Sequence, residues 1–237
     1  MNRVGLLSGI LLSLLCLSRV WANDPNNASD PNSTSTKKDS PWLITPLLSS
    51  DPKIATSAGL MAGYIHQFDP NSPPSLFGGM GTYSTTDSYY YGAFAKVHFG
   101  QDRHRISAGA FRGRVNNDYS DYLGSGLPAQ TTDTLKAFGL RYVTRIHNNW
   151  YLGPQFFSTN YAISADDALT GEILDKIGLT GLKSNGLGLL VQYDSRNSQY
   201  SATRGQALEV HNVTFRTGLG GDVNFDAYNM DYQVYIP

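Results

Sequence analysis

Side chains able to do chemistry are few in this chain, and their spacing is uninformative for catalysis. The five histidines, His66, His98, His104, His147 and His211, share no metal-ligand spacing, and no Gly-x-Ser-x-Gly turn raises a nucleophilic serine. His211, next to Asn212, is the one that could accompany a serine on the lipid face, but it reads better as a solvated or lumen-facing strand residue. The expectation is therefore a protein that is not an enzyme and carries no cofactor and no metal. Six charges stand out instead because they interrupt apolar segments: Arg141, Arg145, Asp194, Arg196, Glu209 and Asp231. Ion pairing is the chemistry they offer. Charges of this kind are costly against hydrocarbon, so they must face water or one another. They read as lumen-facing charges, either a satisfied network that stiffens an interior or the lining of a pore; the network is preferred.

The elements that position these charges are strands. From Trp42 onward, period-two alternation dominates, with Tyr, Phe, Gly, Thr and Val enriched. Tyr228, Met230, Tyr232, Val234 and Ile236 fall on one face, and Ala227, Asn229, Asp231 and Gln233 on the other. Leu187, Leu189, Val191 and Tyr193 oppose Gly186, Gly188, Gln192 and Asp194. Phe138, Leu140, Tyr142 and Ile146 oppose Ala137, Gly139, Arg141 and Arg145, while Tyr91, Ala93, Ala95, Val97 and Phe99 oppose Gly92, Lys96 and His98. Strands of about 9 to 12 residues with one apolar and one polar or glycine face suit the wall of an antiparallel transmembrane β-barrel. Tyr89–Tyr91, Trp150 with Tyr151, and Tyr232 with Tyr235 sit near strand ends, where a membrane interface favours aromatics.

The N-terminus supports export. A short basic start with Arg3, an apolar stretch from Val4 to Leu17 and the Val20-Trp21-Ala22 triplet predict a signal peptide over residues 1–22. Cys16 lies inside it, so the exported chain has no cysteine and no disulfide. Residues 23–40, "NDPNNASDPNSTSTKKDS", lack a large apolar side chain and predict a disordered linker. The rest, 41–237, reads as one domain. Once Arg3 and Arg19 leave with the leader, 19 acidic residues face 16 basic ones, and no basic face points to nucleic acid. No later segment is apolar for long enough to span a membrane as a helix.

Connections test the barrel independently. "DPNSPP", "TTDS", "GQDR", a long segment at 117–133, "NN" at 148–149, a long segment at 164–184, the polar stretch after Asp194 and "TGLGGDVN" separate the strands. The two long segments fall on one side, as barrels with short periplasmic turns and long external loops require. A periplasmic N-terminus then needs one more strand, supplied by "PWLITPLL" at 41–48, for ten in all. Leu169, Ile173, Leu174 and Ile177 have helical spacing and predict a short helix within the second long segment.

Two stretches, "GLGLLVQYDSRNSQYSATRGQALEV" and "GLGGDVNFDAYNMDYQVYIP", resemble the bacterial surface antigen family, the barrel domain of BamA- and TamA-type proteins. A strand ending in Tyr-Asp-x-Arg-Asn, a turn reaching Gly205, a long strand and a glycine-rich loop carry the likeness, which is strongest over 186–237. "TPLLSSDPKIATSAGLMAGYIHQF" looks like the family's first hairpin. The resemblance implies a bacterial outer-membrane protein with a role in transport or protein assembly across that membrane. Its partners would be outer-membrane lipid and, during biogenesis, the barrel assembly machinery. It also implies a sixteen-strand plan, of which ten strands are counted here, so the chain reads as C-terminally incomplete. Residues 23–40 leave no room for the periplasmic POTRA modules of larger members, and the family's inward Arg-Gly-aromatic loop is missing; "FRGR" at 111–114 is misplaced for it. The competing expectations are a passive porin or surface adhesin barrel and, third, an exported soluble β-sandwich.

Overall fold

The computed structural model describes residues 40–51, 55–119, 129–176, 178 and 180–236. The expected signal peptide, nearly all of the expected linker, and Ile177 lie outside these residues. The domain is all-β. Ten strands run β1 (Trp42–Asp51), β2 (Ala55–His66), β3 (Ser75–Ser84), β4 (Tyr89–Phe99), β5 (His104–Tyr119), β6 (Ala129–His147), β7 (Trp150–Ala165), β8 (Gly181–Asp194), β9 (Gly205–Phe215) and β10 (Phe225–Tyr235). They form one sheet in sequence order, with each neighbouring pair antiparallel. β1 and β10 are its two edges, and among the described residues the sheet does not close on itself.

The strand count agrees with the expectation, and the extra first strand is β1, hydrogen-bonded in register to β2 from Trp42↔Tyr64 to Asp51↔Ala55. Strand lengths do not agree throughout. β5, β6 and β7 have 16, 19 and 16 residues, so the expected long connection at 117–133 shrinks to the undescribed residues 120–128. Asn116↔Thr132, Asn117↔Thr131 and Asp118↔Gln130 are ladder pairs. These residues are polar on both faces, which erases the alternation that reveals a strand. The second long connection is also shorter than expected, from the end of β7 at Ala165 to Gly181, and it holds helix α1 (Ala168–Lys176). Asp167 caps that helix: Thr170 N–H donates to its Oδ1 at 2.8 Å, and this bond draws the carboxyl pKa below the ordinary value. Leu174 is its buried anchor, while Leu169 and Ile173 remain exposed.

Register assigns every strand residue to one of two faces. Following the ladder from Lys96 through Ser107, Arg141 and Gln155 to Gly188 traces the inner face across five strands. Ser57, Thr82, Ser84, His98, Arg105, Asn117, Thr131, Gln155, Ser184 and His211 lie on this face, and all are buried. Its apolar core is small, centred on Val143, Tyr151 and Leu190. The opposite face carries Trp42, Ile44, Leu60, Tyr91, Phe138, Leu140, Leu152, Leu187, Leu189, Tyr228 and Met230, all exposed. The polarity is inverted relative to a water-soluble sheet: polar side chains are enclosed and large apolar ones point out.

The inner face is fitted locally as well. Gln155 pairs with Gly188, and its Nε2 passes that glycine to donate to Asn212 O at 2.9 Å. A Cβ at Gly188 would come within 1.7 Å of the same carbonyl oxygen. Asn212 supports the same spot from the outer face, its Oδ1 accepting from Leu189 N–H at 3.1 Å. Two amide side chains thus bridge a short interruption of the β8–β9 ladder.

The aromatic clusters need correction. Adjacent strand residues point to opposite faces, so only part of each cluster can meet a membrane interface. Tyr89 and Tyr91 stack on the outer face, whereas Tyr90 packs inward against Phe111. Trp150 is outward against Tyr193, but Tyr151 is only 1% exposed and points inward. Tyr232 is outward, and Tyr235 lies on the inner face.

Candidate functional site

At one end of the sheet, four connections converge: 67–74, 100–103, 148–149 and 195–204. The site is built outward from the tight turn after β4. Gln101 and Asp102 both adopt left-handed backbone, at φ 60° and 57°. This conformation is uncommon for non-glycine residues, though Asp tolerates it better than most. The neighbouring connection holds it: Asp69 accepts from Ser72 Oγ–H at 2.7 Å and from Gln101 N–H at 3.3 Å, and Ser72 Oγ accepts from Asp102 N–H at 2.7 Å.

Asp102 is thereby fixed with its carboxylate against the inner face. Arg105 grips it with two bonds, Nε to Oδ1 at 2.9 Å and Nη2 to Oδ2 at 2.7 Å. Arg105 Nη1 reaches Asp194 Oδ2, at the end of β8, at 3.0 Å. Tyr151 donates its hydroxyl proton to Asp102 Oδ2 at 2.7 Å, and the same oxygen accepts from Arg145 Nη2 at 2.9 Å. The Tyr151 oxygen accepts in turn from Arg105 Nη2 at 2.9 Å and Arg145 Nη2 at 2.8 Å. Arg196 closes the far side, its Nε and Nη2 on the two oxygens of Asp194 at 2.9 and 3.0 Å. Burial pushes the Asp102 carboxyl up, but the bonds and charge of Arg105 outweigh it and hold the group below the ordinary aspartate range. The bonds to Asp194 likewise stabilise the charged form of Arg196.

Three guanidinium groups and two carboxylates therefore share a cavity of about 370 Å³, also lined by Pro74, Asn149, Gln199 and Tyr200. Each guanidinium already spends at least two of its nitrogens on these partners. Chemically, the arrangement can hold connections together and enclose a charged interior. Among the described residues, no group of three or more His, Cys, Asp or Glu side chains is placed to hold a metal.

A second cluster lies deeper on the inner face. Arg141 on β6 donates to Glu209 on β9, Nη1 to Oε1 at 2.8 Å, and stands over the Phe157 ring at 5.3 Å. His211 Nδ1 is 3.2 Å from Glu209 Oε1, and the imidazole is buried on the inner face. Because β7 and β8 intervene between the two partners, this pair is a chord across a curved sheet.

The six charges singled out from sequence thus separate into three groups. Arg145, Asp194 and Arg196 join the hub, and Arg141 and Glu209 form the chord. Asp231 belongs to neither: it is exposed on edge strand β10, opposite Glu209, and accepts from Gln233 Nε2 at 3.1 Å. Asp102, Arg105 and Tyr151, the centre of the hub, were missed. An Asp-x-x-Arg pair bracketing the turn in "GQDRHR" was the available signal. Tyr151 had none, because an inward tyrosine and an interfacial one look alike in sequence. In comparisons with known proteins, no family model matches this chain, and no curated protein matches it.

Proposed function

We propose that this chain forms the wall of a transmembrane β-barrel in the bacterial outer membrane, of the surface-antigen type, and takes part in transport or protein assembly across that membrane. The observation that carries the membrane reading is the inverted polarity of its two faces. Leu189, Tyr228 and Met230 are 59%, 79% and 69% exposed on a face shared with Leu60, Phe138 and Leu140, while inner-face Gln155 is 2% exposed. Water-soluble monomers rarely expose contiguous apolar surface beyond a few hundred Å². Hydrocarbon is the solvent that suits the outer face, and the paired charges suit an enclosed polar interior. A sandwich would need a second sheet over the apolar face, and the described residues form only one. Among the described connections the shortest, two residues at 148–149, is at the hub end, and the connection that holds helix α1 is at the other end. Helix α1 would then stand on the outside, where outer-membrane barrels carry their longer loops.

The more specific role rests on the resemblance of 186–237 to surface antigens. Removing the gene tests it: the abundance of other outer-membrane barrels, or passage of a surface protein, should fall. Unchanged levels combined with step conductance of the purified chain in planar bilayers would replace this role with that of a passive porin. The membrane reading itself predicts that the chain acquires protease-resistant structure only with vesicles or detergent. Folding to a monodisperse species in plain buffer would overturn it.

A further inference from the structure

We infer that the 195–204 connection is a plug latched across the polar inner face, whose release uncovers the arginine-lined cavity. The inference deepens the barrel reading and rests on it. Two residues suffice to join β6 to β7 at the same end, yet β8 and β9 are joined by ten. The extra residues do not form a loose excursion. The ladder continues into the stem, where Ser195 N–H donates to Gln206 O at 2.9 Å and Asn197 N–H to Arg204 O at 3.2 Å. Asn197 Oδ1 then accepts from Thr203 and Arg204 N–H at 3.0 and 3.1 Å, closing a compact tip. The stem turns into β9 at Gly205, whose φ of 101° suits glycine, and a Cβ there would meet Ser195 O at 2.4 Å.

The tip reaches the opposite part of the sheet. Tyr200 donates its hydroxyl to Pro74 O at 3.0 Å, across 126 residues of sequence, and its ring receives Lys96 Nζ at 5.4 Å from the centroid. With its amide oriented to suit its neighbours, Gln199 accepts from Arg105 Nη2 and Nη1 at 2.9 and 3.1 Å. A preformed tip is therefore held by one neutral hydrogen bond, one cation–π contact and one amide on the hub. The first two are individually weak. Tyr200 and Gln199 also line the cavity, so lifting the tip opens that wall.

Double electron–electron resonance on the full chain folded in lipid tests the latch. Spin labels are placed at Asn71→Cys and Ser201→Cys, with Cys16→Ser removing the native thiol. The native latch should give a single short separation. Combining Tyr200→Phe with Lys96→Met should raise a longer-distance population about tenfold, the combined loss of one hydrogen bond and one cation–π contact. An unchanged distribution in that variant, or a broad one with the latch intact, overturns the plug. A third label at Leu189→Cys reports bilayer depth independently, so a failed membrane reading is distinguishable from a failed latch. Unchanged heat-modifiable migration shows that the variants fold.

Discussion

Replacing Asp102 with Asn is the sharpest perturbation of the hub. Asn tolerates the left-handed backbone that Asp102 adopts at φ 57°, so turn geometry is kept while the charge is lost. The carboxylate accepts four bonds, two from Arg105, one from Arg145 and one from Tyr151. An amide oxygen can keep at most two of them, and its NH2 group faces guanidinium donors. Asp102 and Arg105 have side chains only 11% and 9% exposed, so solvent cannot replace the lost partner. Removing one member of a buried ion pair costs about 3–5 kcal/mol; with part of the acceptor retained, about 3 kcal/mol is expected. An internal control is Asp226→Asn. Its pair with Arg216 is equally short at 2.8 Å but 38–41% exposed, so its loss should cost less than about 1 kcal/mol. Urea unfolding in lipid vesicles, followed by tryptophan fluorescence, measures both. If Asp102→Asn and Asp226→Asn shift the midpoint equally, the hub is not the buried structural lock described here.

Other consequences can be checked directly. Leu189→Arg should reduce the folded fraction in vesicles, at about 2–4 kcal/mol if the residue lies near the bilayer midplane, whereas a solvent-facing site would change by less than about 0.5 kcal/mol. Gly205→Ala should destabilise by more than about 1 kcal/mol, because alanine meets both the strained φ and the Ser195 carbonyl; an unfolding midpoint within error of the native one would contradict that. The Asp102 carboxyl is held below its ordinary value, so its contribution is complete above the unfolded pKa of about 3.9 and is lost as pH falls from there toward the folded pKa. Acid unfolding of Asp102→Asn should accordingly lack part of the slope seen in the native chain below that pH.

Where one face of a strand is apolar along its length, the sequence was readable. The alternation at 186–194 and 227–236 marks β8 and β10 because one face must be apolar throughout. Legibility ended where that constraint ends. The paired ends of β5 and β6 near Asn117 and Thr131 carry polar residues on both faces and read as a loop. The charge network was half legible for a related reason. Arg141 and Arg145 announce themselves by interrupting apolar strands, whereas Asp102 sits in a turn where an aspartate is ordinary. Its role arises because the 67–74 connection, 32 residues away in the case of Asp69 and Gln101, presses the turn inward. Tyr151 and Trp150 show the limit of composition: two neighbouring aromatics have opposite fates, and only strand phase separates them.

The central claim is that the outer face meets hydrocarbon. The most direct measurement is a single-cysteine scan along β8 in the Cys16→Ser background, from Gly186 to Tyr193. A fluorophore at each site is exposed to lipids carrying nitroxide on their acyl chains. The expected result is strong quenching at Leu187, Leu189 and Val191 and weak quenching at Gly188, Leu190 and Gln192, a period of two in phase with the register. Uniformly weak quenching, or quenching out of phase with the outer face, would contradict the account.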